Sequence, residues 1–175
     1  MEVSGGKWDK VGAPALGTGV HTLTEEVERM FLGQFYHNLD EKGRLIIPVR
    51  FRDRLNAEGS ILMQGFDQNL MLLTSSYFTI LSQRINSMSL TDPTARLLKR
   101  LIFSTAHQVE LDKAGRVLLP QFLRDAIDLE AEAVVIGAGN YIEIWSPLSW
   151  TDQADQLSDA QVNAHRFVAL DLSTE

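Results

Sequence analysis

The chain has 175 residues, 45% of them apolar, no cysteine and a formal net charge of −7. That length holds one ordinary domain or two small fused ones, and the missing cysteine excludes disulfides, thiol catalysis and cysteine metal sites. No run of about 18 apolar residues exists to span a membrane. Nor do the first 29 residues hold an apolar signal stretch, so the expected location is the cytoplasm.

Residues 1–29 are rich in Gly, Ala, Thr and acidic residues without a clear period, and read as a flexible extension. Met30 opens the patterned part. Phe35–Leu39 and Arg44–Ile47 are strand-like, with Asp40-Glu41-Lys42-Gly43 between them as a hairpin or a turn into a new strand. Asp suits the first position of such a turn, and Gly suits a position that needs positive φ. Pro48 cannot donate to a sheet ladder and suits the first turn of a helix, so Val49–Leu55 is predicted helical. Phe51 and Leu55 then share one face. Ile61–Gln64 and Leu70–Leu73 follow as a strand pair.

A helical connector comes next. Tyr77, Ile80, Leu81 and Ile85 recur at helical spacing, as do Leu97, Leu98, Leu101 and Ile102. Thr91-Asp92-Pro93 separates the two helices and caps the second. Arg84, Arg96, Lys99 and Arg100 are expected on outer faces.

The order then starts again. Leu111–Ile127 repeats Leu39–Leu55 at an offset of 72 residues without a gap. Identical pairs are Leu39/Leu111, Asp40/Asp112, Gly43/Gly115, Arg44/Arg116, Pro48/Pro120, Arg52/Arg124 and Asp53/Asp125. Strands are expected at Val109–Leu111 and Val117–Leu119, and a short helix from Pro120 to Ile127. Ala133–Ile136 and Tyr141–Trp145 should flank a turn at Gly137-Ala138-Gly139-Asn140. The expected organisation is a repeat over 34–76, a connector over 77–104, a second repeat over 105–148 and a polar, acidic tail over 149–175, frayed or disordered. One such unit is too small to bury its strands alone. Two sharing a β core wrapped by helices would do better.

Several chemistries lack their motifs. There is no phosphate-binding Gly-x-x-x-x-Gly-Lys-Ser/Thr loop, no Gly-x-Ser-x-Gly and no His-Glu-x-x-His. His21, His37, His107 and His165 are scattered, which disfavours a zinc site. Asp40 and Asp112 could form an acid–base pair across a pseudo-twofold axis, but each sits where a turn needs a side-chain acceptor, and that reading is preferred. No catalytic residue, metal site or cofactor is predicted.

Charge distribution matters more than the total. In Leu39–Leu55, Lys42, Arg44, Arg50, Arg52 and Arg54 outnumber Asp40, Glu41 and Asp53. The second copy holds Ala114, Phe122 and Ala126 in place of Lys42, Arg50 and Arg54. Copy one is therefore expected to meet a polyanion and copy two to pack. Arg44 and Arg116 have two open readings. Each is paired with a nearby Asp, or each presents a guanidinium to phosphate or guanine.

The two Asp-x-x-Gly-Arg motifs, the run Asn38-Leu39-Asp40-Glu41-Lys42-Gly43-Arg44-Leu45-x-x-Pro48 and the helical connector together resemble the MraZ family over residues 30–150. Members are bacterial transcriptional regulators related to AbrB-type DNA-binding domains. The resemblance implies an α+β fold, mainly β with helices: a β barrel built from two AbrB-like halves. It implies no enzyme and no small-molecule substrate, but a sequence-specific regulator, a repressor of the cell-division and cell-wall gene cluster. Such a protein binds repeated sites in its own promoter as a ring-shaped homo-oligomer in the cytoplasm, at the nucleoid. Carried onto this chain, it places Lys42, Gly43 and Arg44 at double-stranded DNA. Arg50, Arg52 and Arg54 are supporting candidates, and Arg116 is either a second contact or structural. The alternative is an antitoxin-like AbrB relative whose partner is a protein.

Overall fold

The computed structural model describes residues 26–170. Most of the extension expected at 1–29 therefore lies outside the described residues. The first repeat folds as β1 (Phe31–Asn38), β2 (Arg44–Ile46), α1 (Val49–Glu58), β3 (Ser60–Gln64) and β4 (Asn69–Thr74). The second follows the same order with β5 (His107–Val109), β6 (Arg116–Leu118), α4 (Gln121–Ala126), β7 (Glu132–Gly139) and β8 (Tyr141–Trp145). The connector forms α2 (Ser75–Asn86) and α3 (Pro93–Thr105), and α5 (Pro147–Ser158) and α6 (Ala160–Phe167) follow β8.

Local chemistry accounts for the starts of these helices. Pro48 and Pro120 precede α1 and α4 with φ of −50° and −54°, preset for helix entry. Asp92 caps α3 by accepting the Thr94 N–H at 2.8 Å, as expected from Thr91-Asp92-Pro93. Ser146 and Asp159 cap α5 and α6 in the same way. The segment after Trp150, expected to fray, is thus held in capped helices through Phe167.

Strand pairing exchanges partners between the repeats. All pairs are antiparallel, and the main sheet runs β1-β7-β8-β4-β3-β5. β3 pairs with β4, and β7 with β8, inside each repeat, while β4 and β8 join the repeats at the centre. The first strand of each repeat pairs with the third strand of the other: β1 with β7, and β5 with β3. β2 and β6 form a separate two-stranded ribbon. The Asp40–Gly43 turn is therefore not a simple hairpin, since Leu39 and Leu45 share one isolated bridge and β2 then finds its ladder in the other repeat. Among the described strands the ladder ends at β1 and β5. The β2–β6 ribbon adjoins it through the Leu39–Leu45 bridge. The fold is α+β.

Both repeats fill one core. Phe31, Leu45, Ile47, Phe51, Leu55, Leu62 and Leu72 meet Val117, Leu119, Leu123, Ile127, Val135, Ile142 and Ile144 there. Phe51 sits edge-on to Phe31 and Phe35, at 5.2 and 5.4 Å between centroids. On the other side of the sheet, α2 and α3 cover Met63, Met71 and Leu73 with Ile85 and Ile102. Ile80 and Leu97, expected to face inward on these helices, are 50% and 66% exposed. The two helices lie on one small patch of sheet, so only a narrow stripe of each is covered.

Three strand readings differ from the structure, the first being β5, which ends at Val109 where the pattern predicts a strand over Val109–Leu111. β1 begins at Phe31 rather than Phe35. Gly33 interrupts the apolar pattern, and the pairing with β7 supplies the order that the pattern lacks. Gly137 and Ala138 are not turn residues; they lie inside β7, opposite Gly33 and Leu32. A Cβ on Gly137 would collide with the backbone of Phe31 and Leu32. The glycine is there for close strand approach, and only Asn140 lies between β7 and β8.

Candidate nucleic-acid interface

The β2–β6 ribbon brings the two Asp-x-x-Gly-Arg loops side by side. Arg44 lies opposite Leu118, and Ile46 opposite Arg116. Past the ribbon ends, the Leu119 N–H donates to the Gly43 carbonyl at 3.0 Å, and the Ile47 N–H to the Gly115 carbonyl at 2.9 Å. Each loop is thus stitched to the strand of the other repeat.

Within each loop the Asp does two jobs with two oxygens. Asp40 Oδ1 accepts the N–H groups of Lys42 and Arg44 at 3.0 and 2.9 Å, while Oδ2 accepts Arg44 Nε at 2.7 Å. Asp112 repeats this with Ala114, Arg116 and Arg116 Nε at 2.9, 3.0 and 2.8 Å. Gly43 and Gly115 both have φ of +75°, a conformation that favours glycine. The sequence pattern is therefore a turn whose geometry requires its Asp, its Gly and the Arg that follows.

Four charges then close into one cluster. Arg116 reaches across to Asp40 at 3.3 Å, and Arg44 reaches Asp112 at 3.7 Å. Backbone donation from Arg44 is the main cause that holds the Asp40 carboxyl below the usual range, with its guanidinium adding to it. The Arg116 guanidinium, then its backbone N–H, lowers Asp112 to about 2. Both carboxyls are ionised, which is opposite to the raised carboxyl that an acid–base pair needs at neutral pH. The pair neutralises the two arginines and fixes their orientation.

The two arginines are not equivalent. Arg116 uses Nε, Nη1 and Nη2 on Asp40 and Asp112. Arg44 uses Nε and Nη1, and among the described residues its Nη2 has no partner. Arg44 therefore keeps a donor edge on a guanidinium already braced from behind. Arg116 has all three guanidinium nitrogens engaged. Lys42 and Arg50 are exposed, with no side-chain hydrogen bond or ion pair among the described residues.

The remaining candidates are engaged internally. Arg52 Nε donates to the Ile47 carbonyl at 2.7 Å. Arg54 pairs with Glu58 at 3.1 Å, lies 4.7 Å from the Phe31 ring centroid and donates to the Arg29 carbonyl. Arg124 was absent from the predicted site. Its guanidinium packs on Gly43, and its identity with Arg52 in the repeat was the one signal in the sequence that could have found it. Phe122, which stands in place of Arg50, faces outward at 47% exposure, and the ribbon residue Leu118 is 54% exposed.

Comparison with known proteins gives a consistent result. The family model for the MraZ protein, a family described as antitoxin-like, matches twice, over residues 30–101 and 102–171. A transcriptional regulator MraZ of Thermomicrobium roseum is 45% identical over 129 residues, covering 74% of this chain and 90% of the relative. One of Herpetosiphon aurantiacus is 47% identical over 130 residues, with the same two coverages. A third, of Desulfitobacterium hafniense, is 40% identical over 77% of this chain and 94% of its own length.

Proposed function

The chain belongs to the MraZ family, and from that premise we propose that it is a sequence-specific DNA-binding transcriptional regulator. In this reading the paired loops are the reading head. The observation that carries it is the braced Arg44, whose Nη2 is unspent beside the exposed Lys42. An arginine held by carboxylates from behind can offer its free edge to a guanine or a phosphate with little further ordering. Lys42 supplies phosphate contact. Gly43 shapes the turn. Arg116 supports Arg44 rather than reading a base itself, Arg50 adds charge from α1, and Arg52 and Arg54 act through the fold.

The DNA is double-stranded promoter DNA with repeated sites upstream of the protein's own gene, in the cell-division and cell-wall cluster. The protein represses there, in the cytoplasm and at the nucleoid. One loop with few free cations on a chain of net charge −7 binds weakly at physiological salt. Several copies in a ring raise the effective concentration at repeated sites, and the exposed Leu118 and Phe122 give copies of the chain an apolar surface to bury.

The test is binding to DNA from upstream of the gene, against random DNA of equal length at fixed salt. Wild type should prefer the upstream DNA, and Arg44→Ala should lose about 1–3 kcal/mol of that preference. Equal binding to both DNAs would sink the reading and turn the search to a protein partner of the antitoxin-like kind.

A further inference from the structure

Arg52 and Arg124 are identical in the repeat, and neither faces the outside of the loops. Each sits on the short helix of its own repeat and anchors its Nε on a nearby carbonyl, Ile47 for Arg52 at 2.7 Å and Leu119 for Arg124 at 3.1 Å. Each guanidinium then lies flat against the turn glycine of the other repeat. A Cβ on Gly43 would lie 2.7 Å from Arg124 Cζ, and one on Gly115 would lie 2.6 Å from Arg52 Nη1. Both glycines are therefore required by their positive φ, and a Cβ at either would also push aside the guanidinium that covers it. The carbonyls of the same glycines accept N–H groups from the opposite repeat. Each turn is thus held between a strand backbone and a guanidinium, both of them foreign to its own repeat.

We propose that Arg52 and Arg124 are positioning residues that clasp the loops in exchange, Arg124 holding the first loop and Arg52 the second, so that the two loops meet DNA as one unit. This rests on the DNA-binding reading above. Its consequence is directional. The first loop carries Lys42 and the unspent edge of Arg44, so the residue that most controls DNA affinity from outside that loop lies in the second repeat. A loop left to fluctuate must be ordered on binding, and that ordering subtracts from affinity.

The test uses the full chain with Arg124→Ala, Arg52→Ala and Arg124→Lys. The amide exchange of Lys42, Gly43 and Arg44 is compared with that of Ala114, Gly115 and Arg116. Arg124→Ala should speed exchange in the first set alone, and Arg52→Ala in the second alone. Lys lacks the flat fork, so Arg124→Lys should behave like Arg124→Ala; it also serves if the alanine variant does not fold. Promoter affinity should fall about tenfold for Arg124→Ala and less for Arg52→Ala. The salt dependence should stay unchanged, because no phosphate contact is removed. Exchange that speeds in the variant's own repeat, or nowhere, overturns the clasp. So does a salt slope that drops by about one, which would mark direct phosphate contact. If wild type shows no promoter preference, the DNA reading alone fails, and the crossed exchange pattern still decides the clasp.

Discussion

The two repeats share a backbone and differ in what they show to solvent. Asp40, Gly43, Arg44, Pro48 and Arg52 recur as Asp112, Gly115, Arg116, Pro120 and Arg124, and all ten residues build the same turn, clasp and helix start. Lys42, Arg50 and Arg54 became Ala114, Phe122 and Ala126. What is retained holds the shared frame, and what changed is exposed or near the surface. The lesson is that a duplicated motif need not have a duplicated role. The second loop bears the same hydrogen bonds as the first, but all three nitrogens of its arginine are engaged, and Phe122 stands where the first repeat has Arg50.

Substitutions at paired positions can break that comparison. Gly43→Ala and Gly115→Ala should destabilise to a similar extent, at least about 1–2 kcal/mol each from the left-handed backbone alone. Displacement of the covering guanidinium adds to this, and urea unfolding of both variants measures it. A cost at only one glycine would show that the frame is not shared. Lys42→Ala should weaken promoter binding and lower the salt slope by about one, whereas Ala114→Lys should change neither if the second loop stands away from phosphate. An Ala114→Lys variant that tightens binding would make the loops equivalent after all.

The smallest effect is expected from acid. The Asp112 carboxyl is lowered to about 2 from its ordinary 3.8 by the Arg116 guanidinium, and Asp40 is lowered as well. The unfolded chain therefore binds more protons than the folded one in the window between about 2 and 4. The stability from these carboxylates is present above that window and lost as pH falls through it. Both side chains are partly exposed, so the slope should be shallow. Urea midpoints for wild type and Asp112→Asn between pH 5 and pH 2.5 should converge on acidification. Parallel curves would remove Asp112 as a source of stability.

Much of the frame was legible because its causes are local. The order strand, turn, strand, helix, strand, strand followed from Asp and Gly in the turn, from Pro48 and Pro120, and from the spacing of Phe51 and Leu55. The cap at Asp92 needed only its neighbours. Misreadings came where a distant strand decided. Gly137-Ala138-Gly139 looked like a turn, and its purpose became visible only with Phe31 and Leu32 packed against it. Leu97 and Ile80 matched a helical stripe wider than the sheet they cover. In the candidate site, the turn chemistry of Asp40 and Gly43 was readable, but the division of Arg44, Arg50, Arg52 and Arg54 into free and engaged cations was not. A guanidinium reaches far from its Cα, and its partner is set by whatever the fold brings within that reach.

By itself the sequence determined that one unit is used twice, that each unit carries a glycine turn between an Asp and an Arg, and that copy one holds more charge. These are properties of short segments, fixed by backbone sterics and by hydrogen bonds two to four residues long. Only the tertiary structure decided that the repeats exchange strands, that Arg124 covers Gly43 while Arg52 covers Gly115, and that Arg116 engages all three guanidinium nitrogens where Arg44 engages two. Those contacts between the repeats join residues 45 to 108 positions apart. Nothing local favours such a pairing over another until burial of the common core selects one register and brings the two loops together.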